Sequence, residues 1–95
     1  MKQLLLSIDK KDELYNITKA LASEIRIDIL NLLNSGSLNV NEIAEKLNIP
    51  ASTAAVNVKV LEDAGLILTE LQPGVRGSMK LCSRRVDRID IELAS

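Results

Sequence analysis

The chain has no histidine, no tryptophan and no phenylalanine, and only one tyrosine (Tyr15) and one cysteine (Cys82) in 95 residues. Without histidine it lacks the commonest general base and the commonest metal ligand together. No nucleophile, base and orienting group can be assembled from what remains, so no enzyme, metal site or cofactor is expected. A lone cysteine can form no intramolecular disulfide, and Cys82, in an alternating run, reads as a small core residue. With Tyr15 alone there is no platform on which unpaired bases could stack, which argues against single-stranded nucleic acid. No apolar run approaches the roughly 20 residues of a membrane span. The opening MKQLLLSID is too short before Asp9 for a signal peptide, so the expected location is the cytosol.

A net charge of −1 means that any surface for a polyanion has to be local. At 46% hydrophobic, the chain can fill one modest core, so residues 1–95 are read as one domain. Its pattern starts with a short apolar run, Leu4, Leu5, Leu6 and Ile8, read as a strand within 1–9. The charged cluster that follows opens a first helix on Leu14, Ile17 and Leu21. Ser23 is placed to cap a second helix, SEIRIDILNLL, whose isoleucines and leucines point nearly all round the axis, as in the buried centre of a domain. Asn34, Ser35 and Gly36 end it, and a connector follows.

Residues 40–65, VNEIAEKLNIPASTAAVNVKVLEDAG, form the stretch around which the rest is organised. Asn39 and Glu42 have the spacing of a capping box, and Val40, Ile43, Ala44 and Leu47 trace one stripe of a short amphipathic helix. Asn48-Ile49-Pro50 breaks it, with Pro50 placed to begin the next helix over 51–64, closed by Gly65. At 100° per residue Ala54, Val58 and Leu61 face inward and Ser52, Val56 and Lys59 outward, flanked by Thr53 and Ala55. The pattern then changes to strands: residues 66–71 and 78–82 flank a six-residue tip, 72–77, that carries Arg76 between two glycines. Helices followed by such a hairpin predict an α+β, mostly α, winged helix-turn-helix of three to four helices plus the wing, with possible extra terminal strands. The tail, Arg88 to Leu93, alternates polar and apolar as a half-buried strand does, and the first strand is its candidate partner, in the same chain or in a neighbouring one.

The segments LASEIRIDILNLL and LNVNEIAEKLNIPASTAAVNVKVLEDAGLI resemble the DNA-binding domain of ArsR-type bacterial winged-helix transcriptional regulators, over about residues 20–82. The resemblance implies a regulator that binds operator DNA as a homodimer. Metal-sensing members carry a cysteine-rich motif around the positions held here by Asn39, Val40 and Asn41, none of them a soft ligand, so sensing of arsenic or zinc is not expected. The family tends to place longer polar residues and a histidine near the positions of Ala51, Ala55, Val56 and Asn57. The strand-like tail also replaces the C-terminal dimerisation helix common in the family, and some larger regulators of this kind carry an effector domain after such a module. The resemblance therefore admits a reading of the chain as the N-terminal part of such a regulator, with an effector domain or ligand site outside it.

On double-stranded DNA, Ser52, Thr53 and Asn57 are the candidate base readers, Val56 a contact for a thymine methyl, and Lys59, Arg76 and Lys80 the phosphate contacts. Between residues 76 and 88 five basic side chains, Arg76, Lys80, Arg84, Arg85 and Arg88, face one acidic, Asp87, which suggests a salt-sensitive footprint weighted to the wing, 72–78. The alternative is a winged helix used for protein contact, docking through Ala51, Ala55, Val56 and Val60, with Glu62 and Asp63 nearby.

Overall fold

The structure, a computed structural model, describes residues 2–74 and 77–94. In order come β1 (Gln3–Ser7), α1 (Lys11–Leu21), α2 (Glu24–Leu32), a 3-10 turn (Leu33–Ser35), β2 (Leu38–Asn39), α3 (Val40–Leu47), α4 (Ala51–Asp63), β3 (Ile67–Gly74), β4 (Gly77–Arg84) and β5 (Arg88–Glu92). Two sheets result: a three-stranded antiparallel one in the order β2-β4-β3, and a two-stranded parallel one of β1 and β5. This is a winged helix-turn-helix, mostly helical, with a terminal strand pair added.

Local chemistry sets the boundaries. Ser23 accepts the Arg26 backbone N–H at 3.3 Å and so caps α2. The capping box of α3 is complete: Asn39 Oδ1 accepts from Glu42 N at 2.8 Å, and Asn39 N donates to Glu42 Oε1 at 3.0 Å. Asn48 ends α3 in the left-handed region at φ 54°, a conformation that asparagine tolerates better than most residues. Pro50 is the extended N-cap of α4 and not its first helical residue. Gly65, at φ 78°, ends α4; a Cβ there would be strained by that φ and would meet the Arg85 guanidinium at 3.2 Å.

The core joins both layers: Ile17 and Ala20 of α1, Ile29 and Leu33, Ile43 and Ala44 of α3, Ala54, Val58 and Leu61 of α4, Leu66, Ile67 and Cys82 of the hairpin base, and Leu6 of β1. The inward face expected for the fourth helix is the buried one. The second helix departs from expectation. Of its apolar residues only Ile29 is fully buried, Ile25, Leu30 and Leu32 are half-buried, and Ile27 is 51% exposed. Helices α1, α3 and α4 cover only part of its circumference, so α2 is a flank of the core and not its centre.

Two details of the hairpin also differ. Strand pairing continues through Gln72↔Met79 and Pro73↔Ser78 to Gly74↔Gly77, so Gln72, Pro73, Gly74 and Gly77, expected in the tip, are paired in the strands. Proline is tolerated in β3 because β3 is an edge strand, where a missing N–H need not break a ladder. The connector before α3 contains β2, in which Leu38 pairs with Cys82 and Asn39 with Leu81, tying the start of α3 to the wing. The tail finds β1 in the same chain, in parallel register from Gln3↔Arg88 to Ser7↔Glu92.

Ile27 and Ile29 provide a direct test of this layout. Ile29→Ala should destabilise the fold by about 2–5 kcal/mol in urea or thermal unfolding, and Ile27→Ala by under ~1 kcal/mol. Equal losses would mean that Ile27 is buried.

Candidate nucleic-acid interface

The outward surface of α4 is short-chained. Ala51, Ser52 and Ala55 are exposed, Val56 is 64% exposed, and Thr53 is half-buried. No side chain caps the helix N-terminus, so its first-turn amides are available to an anion or a base edge.

Asn57 belongs to a different environment from Ser52 and Val56. Its amide carbonyl accepts from Arg26 Nη1 at 2.9 Å and its amide nitrogen donates to Thr53 O at 2.9 Å, with the side chain part-buried. Arg26 in turn donates through Nε to Ala20 O at 2.6 Å and through Nη2 to Lys19 O at 3.3 Å. These two carbonyls lie in the last turn of α1, where backbone acceptors have no partner within the helix. A single guanidinium from α2 therefore caps α1 and holds the middle of α4. Sequence reasoning did not single out Arg26; the available signal was the one basic residue in a helix rich in isoleucine and leucine.

The wing is fixed to α4 in a similar way. The Glu62 carboxylate accepts from the Thr69 hydroxyl of β3 and, at 3.3 Å, from Lys80 Nζ of β4. The Thr69 hydroxyl, and after it Lys80, hold the Glu62 carboxyl below its ordinary value. Lys80 is thus half-buried in an internal ion pair. Lys59 pairs with Asp63 at 2.9 Å, and the hydrogen bond and charge of Asp63 raise the lysine's pKa; both side chains are 63% exposed, so Lys59 can exchange that partner for a phosphate at little cost. Arg76 lies outside the described residues.

The basic residues that follow the wing do not gather on it. Arg84 sits at the base of the hairpin, opposite Ile67, where it donates to Asn34 Oδ1 and, at 3.0 Å, to Asp87 Oδ1. Arg88 is in β5 and pairs with Asp90 at 3.0 Å, and Arg85 lies beside Gly65 O at 3.5 Å. Consecutive positions of like charge are therefore spread over the hairpin base and the second sheet, each with an internal partner.

Cys82 is fully buried, and burial pushes its thiol up, as suits a core residue. A depression of about 460 Å³ between α1, α2 and α4 is lined by Lys19, Arg26 and Asp63 among others, without a nucleophile and base in partnership. Among the described residues no cluster of three metal-ligating side chains occurs, and no helix is long and apolar enough to cross a membrane.

An outward-facing second helix of a helix-turn-helix, braced by a β-hairpin, defines a DNA-binding winged helix. The model for the arsR family of bacterial regulatory proteins matches residues 23–69, the helix-turn-helix and the start of the wing. The crystal structure of a possible transcriptional regulatory protein from Mycobacterium bovis has a TM-score of 0.68 at 29% identity, covering 77% of this chain and 74% of that one. The solution structure of a homodimeric winged helix-turn-helix DNA-binding domain, a possible ArsR-family regulator from the same organism, gives 0.69 at 29% identity, with 77% and 64% covered. Reduced HlyU from Vibrio cholerae shares the fold, with a TM-score of 0.68 at 22% identity over 80% and 76%. Among curated proteins there is no match. Family and fold are those of DNA-binding transcriptional regulators and not of enzymes.

Two predictions concern the braces. Arg26→Ala should lower stability by roughly 2–3 kcal/mol, because three acceptors lose a charged donor. Arg26→Lys should recover less than half of that, since an ammonium cannot span the same three directions. Equal stability of wild type and Arg26→Ala in urea unfolding would refute the brace. For Glu62, whose carboxyl is more acidic folded than unfolded, the contribution is complete above its ordinary value of 4.5 and fades as pH falls through the lower folded value. Wild type and Glu62→Gln should therefore differ in stability at neutral pH and converge in acid. A gap that persists into acid would contradict this sign.

Proposed function

We propose that this chain is the sequence-specific, double-stranded DNA-binding module of a cytoplasmic transcriptional regulator. In this reading α4 enters the major groove, and the wing, 72–78, follows the flanking backbone or minor groove. The observation that carries it is the division of α4: Ala54, Val58 and Leu61 are buried, while Ser52 and Val56 stand out from the domain beside uncapped first-turn amides. Ser52 and Thr53 then reach base edges, Val56 meets a thymine methyl, and Lys59 and Arg76 hold phosphates. Asn57 and Lys80 serve the interface from behind, fixing the helix and the wing, and reach DNA only by giving up Arg26 and Glu62. The homodimeric domain from M. bovis supports a homodimer here too, with one recognition helix per half-site.

The second reading, a winged helix for protein contact, draws on the same exposed Val56 with Ala51 and Ala55. It is weakened by Val60, which packs against the core. A gel shift with the DNA upstream of the protein's own gene, at two salt concentrations, separates the two. Binding should weaken with salt, by a slope of about 0.9 per phosphate contact. Arg76→Ala should cost affinity uniformly across sequences, and more than Lys80→Ala. Absence of a shift at low salt, or a shift untouched when Arg76→Ala and Lys80→Ala are combined, would favour protein contact.

A further inference from the structure

The parallel pair of β1 and β5 is an incomplete structure. Two strands alone are marginal in water, and parallel strands are normally found buried on both sides. Among the described residues no third strand pairs with either. Its inner face is well covered, with Leu6 buried and Leu4 and Ile89 packed on the core, whereas Leu5 on the outer face is 64% exposed.

The two edges of this sheet differ in kind. Strand β5 carries Arg88, Asp90 and Glu92, the charged side chains with which proteins ordinarily blunt a sheet edge. Strand β1, QLLLS, carries no charge, no proline and no bulge, so nothing in its sequence discourages pairing. Its backbone orientation follows from two bonds: Ile8 N donates to Glu92 O at 3.0 Å, and Lys2 O accepts from Arg88 N at 3.3 Å. Even-numbered residues thus turn their backbone groups towards β5, and Gln3, Leu5 and Ser7 turn theirs to the other side.

We propose that the open edge of β1 joins two copies of this chain, β1 pairing antiparallel with β1 of the second copy about a two-fold axis at Leu5, to give one four-stranded sheet. The homodimer of the preceding section is the assembly this surface would build, and the inference rests on that part of the reading. The register is self-consistent. A two-fold axis normal to the sheet keeps both outer faces on one side, which requires odd residues to meet odd residues. Those are the residues whose N–H and C=O groups point to the open edge, so Leu5 meets the second copy's Leu5 as a hydrogen-bonded pair, and Gln3 comes opposite its Ser7, whose carbonyl also accepts the Lys10 N–H at 3.0 Å. Leu4 comes opposite Leu6 on the inner face, joining the two cores. At the ends Lys2 comes alongside Ile8 and Asp9, so the register places no like charges opposite each other and brings opposite ones near. An isologous contact of this kind closes on itself and leaves the charged β5 edges outermost.

Cysteine cross-linking reads the register directly. A hydrogen-bonded antiparallel pair sets Cα atoms about 5.5 Å apart, within disulfide range. Leu5→Cys should therefore form a covalent dimer on mild oxidation, the native Cys82 being buried. Gln3→Cys should not, because in this register the two substituted positions stand roughly 14 Å apart. Leu5→Lys, a change at an exposed position, should keep the thermal midpoint of the fold while raising the dissociation constant of the dimer roughly tenfold or more in sedimentation equilibrium. The proposal is overturned if the chain is monomeric at all concentrations, if Gln3→Cys cross-links as readily as Leu5→Cys, or if Leu5→Lys leaves self-association unchanged. Binding of a single half-site duplex, measured on the same variants, keeps the two readings apart. Wild-type affinity for it with no Leu5 cross-link sinks the interface alone, and a Leu5 cross-link without DNA binding sinks the DNA reading alone.

Discussion

The position of the recognition helix depends on one guanidinium. Arg26 leaves α2, satisfies two carbonyls at the end of α1, and holds the side chain of Asn57 in the middle of α4. Helix packing through Ala54, Val58 and Leu61 supplies the attraction, but small apolar contacts allow a helix to slide or rotate slightly; directional bonds do not. The part-buried setting adds to this, since the Ala20 carbonyl and the Asn57 amide oxygen would lose their partner if Arg26 moved, while the Lys19 carbonyl keeps the Ala22 N–H. The same interaction explains why a polar residue in the recognition helix contributes no free hydrogen-bonding group to the surface.

Glu62 does for the wing what Arg26 does for the helix. It is the penultimate residue of α4 and binds Thr69 and Lys80 on the two wing strands, so helix and wing are tied together. An acidic residue beside a surface for DNA looks counterproductive from its charge alone. Its proton acceptors are occupied by the protein itself, and the net field it presents outward is largely cancelled by Lys80. The acidic count near the helix end is therefore a poor argument for protein contact over DNA contact.

Much of the fold was legible in the sequence, because boundaries are written in local chemistry. The Asn39–Glu42 spacing, Ser23, Pro50 and Gly65 each act within a few residues, and each marks an element end in the structure. What escaped was decided by distant partners. The short strand Leu38–Asn39 exists only because β4 is beside it, and a run of isoleucines in α2 does not say how many neighbours will cover them. The extra length of the hairpin follows from β3 being an edge, a property of the sheet and not of residues 72–77. Candidate site residues were legible as a face, Ser52 and Val56 outward, but not as free or engaged groups: Asn57 and Lys80 have the right chemistry for DNA and also the right chemistry for Arg26 and Glu62.

The five basic residues between 76 and 88 carry the same lesson into electrostatics. Counted along the chain they form one patch, yet a strand advances about 3.3 Å per residue and alternates faces, so a dozen positions span a hairpin, its base and part of another sheet. Asn34 and Asp87 hold Arg84, Asp90 holds Arg88, Glu62 holds Lys80 and Arg85 lies beside Gly65 O, so each of these four described side chains has an internal partner. With a net charge of −1 and these four cations engaged, one module in the proposed DNA-binding reading offers few phosphate contacts from the wing strands and the residues after them. In the DNA-binding reading proposed above, affinity per module would then be modest, and a second module on a neighbouring half-site would raise the occupancy of both by making the second contact intramolecular. Weak electrostatics on one face and an unguarded strand on another are consistent with each other in that reading: the less one helix can hold alone, the more a contact that joins two modules matters.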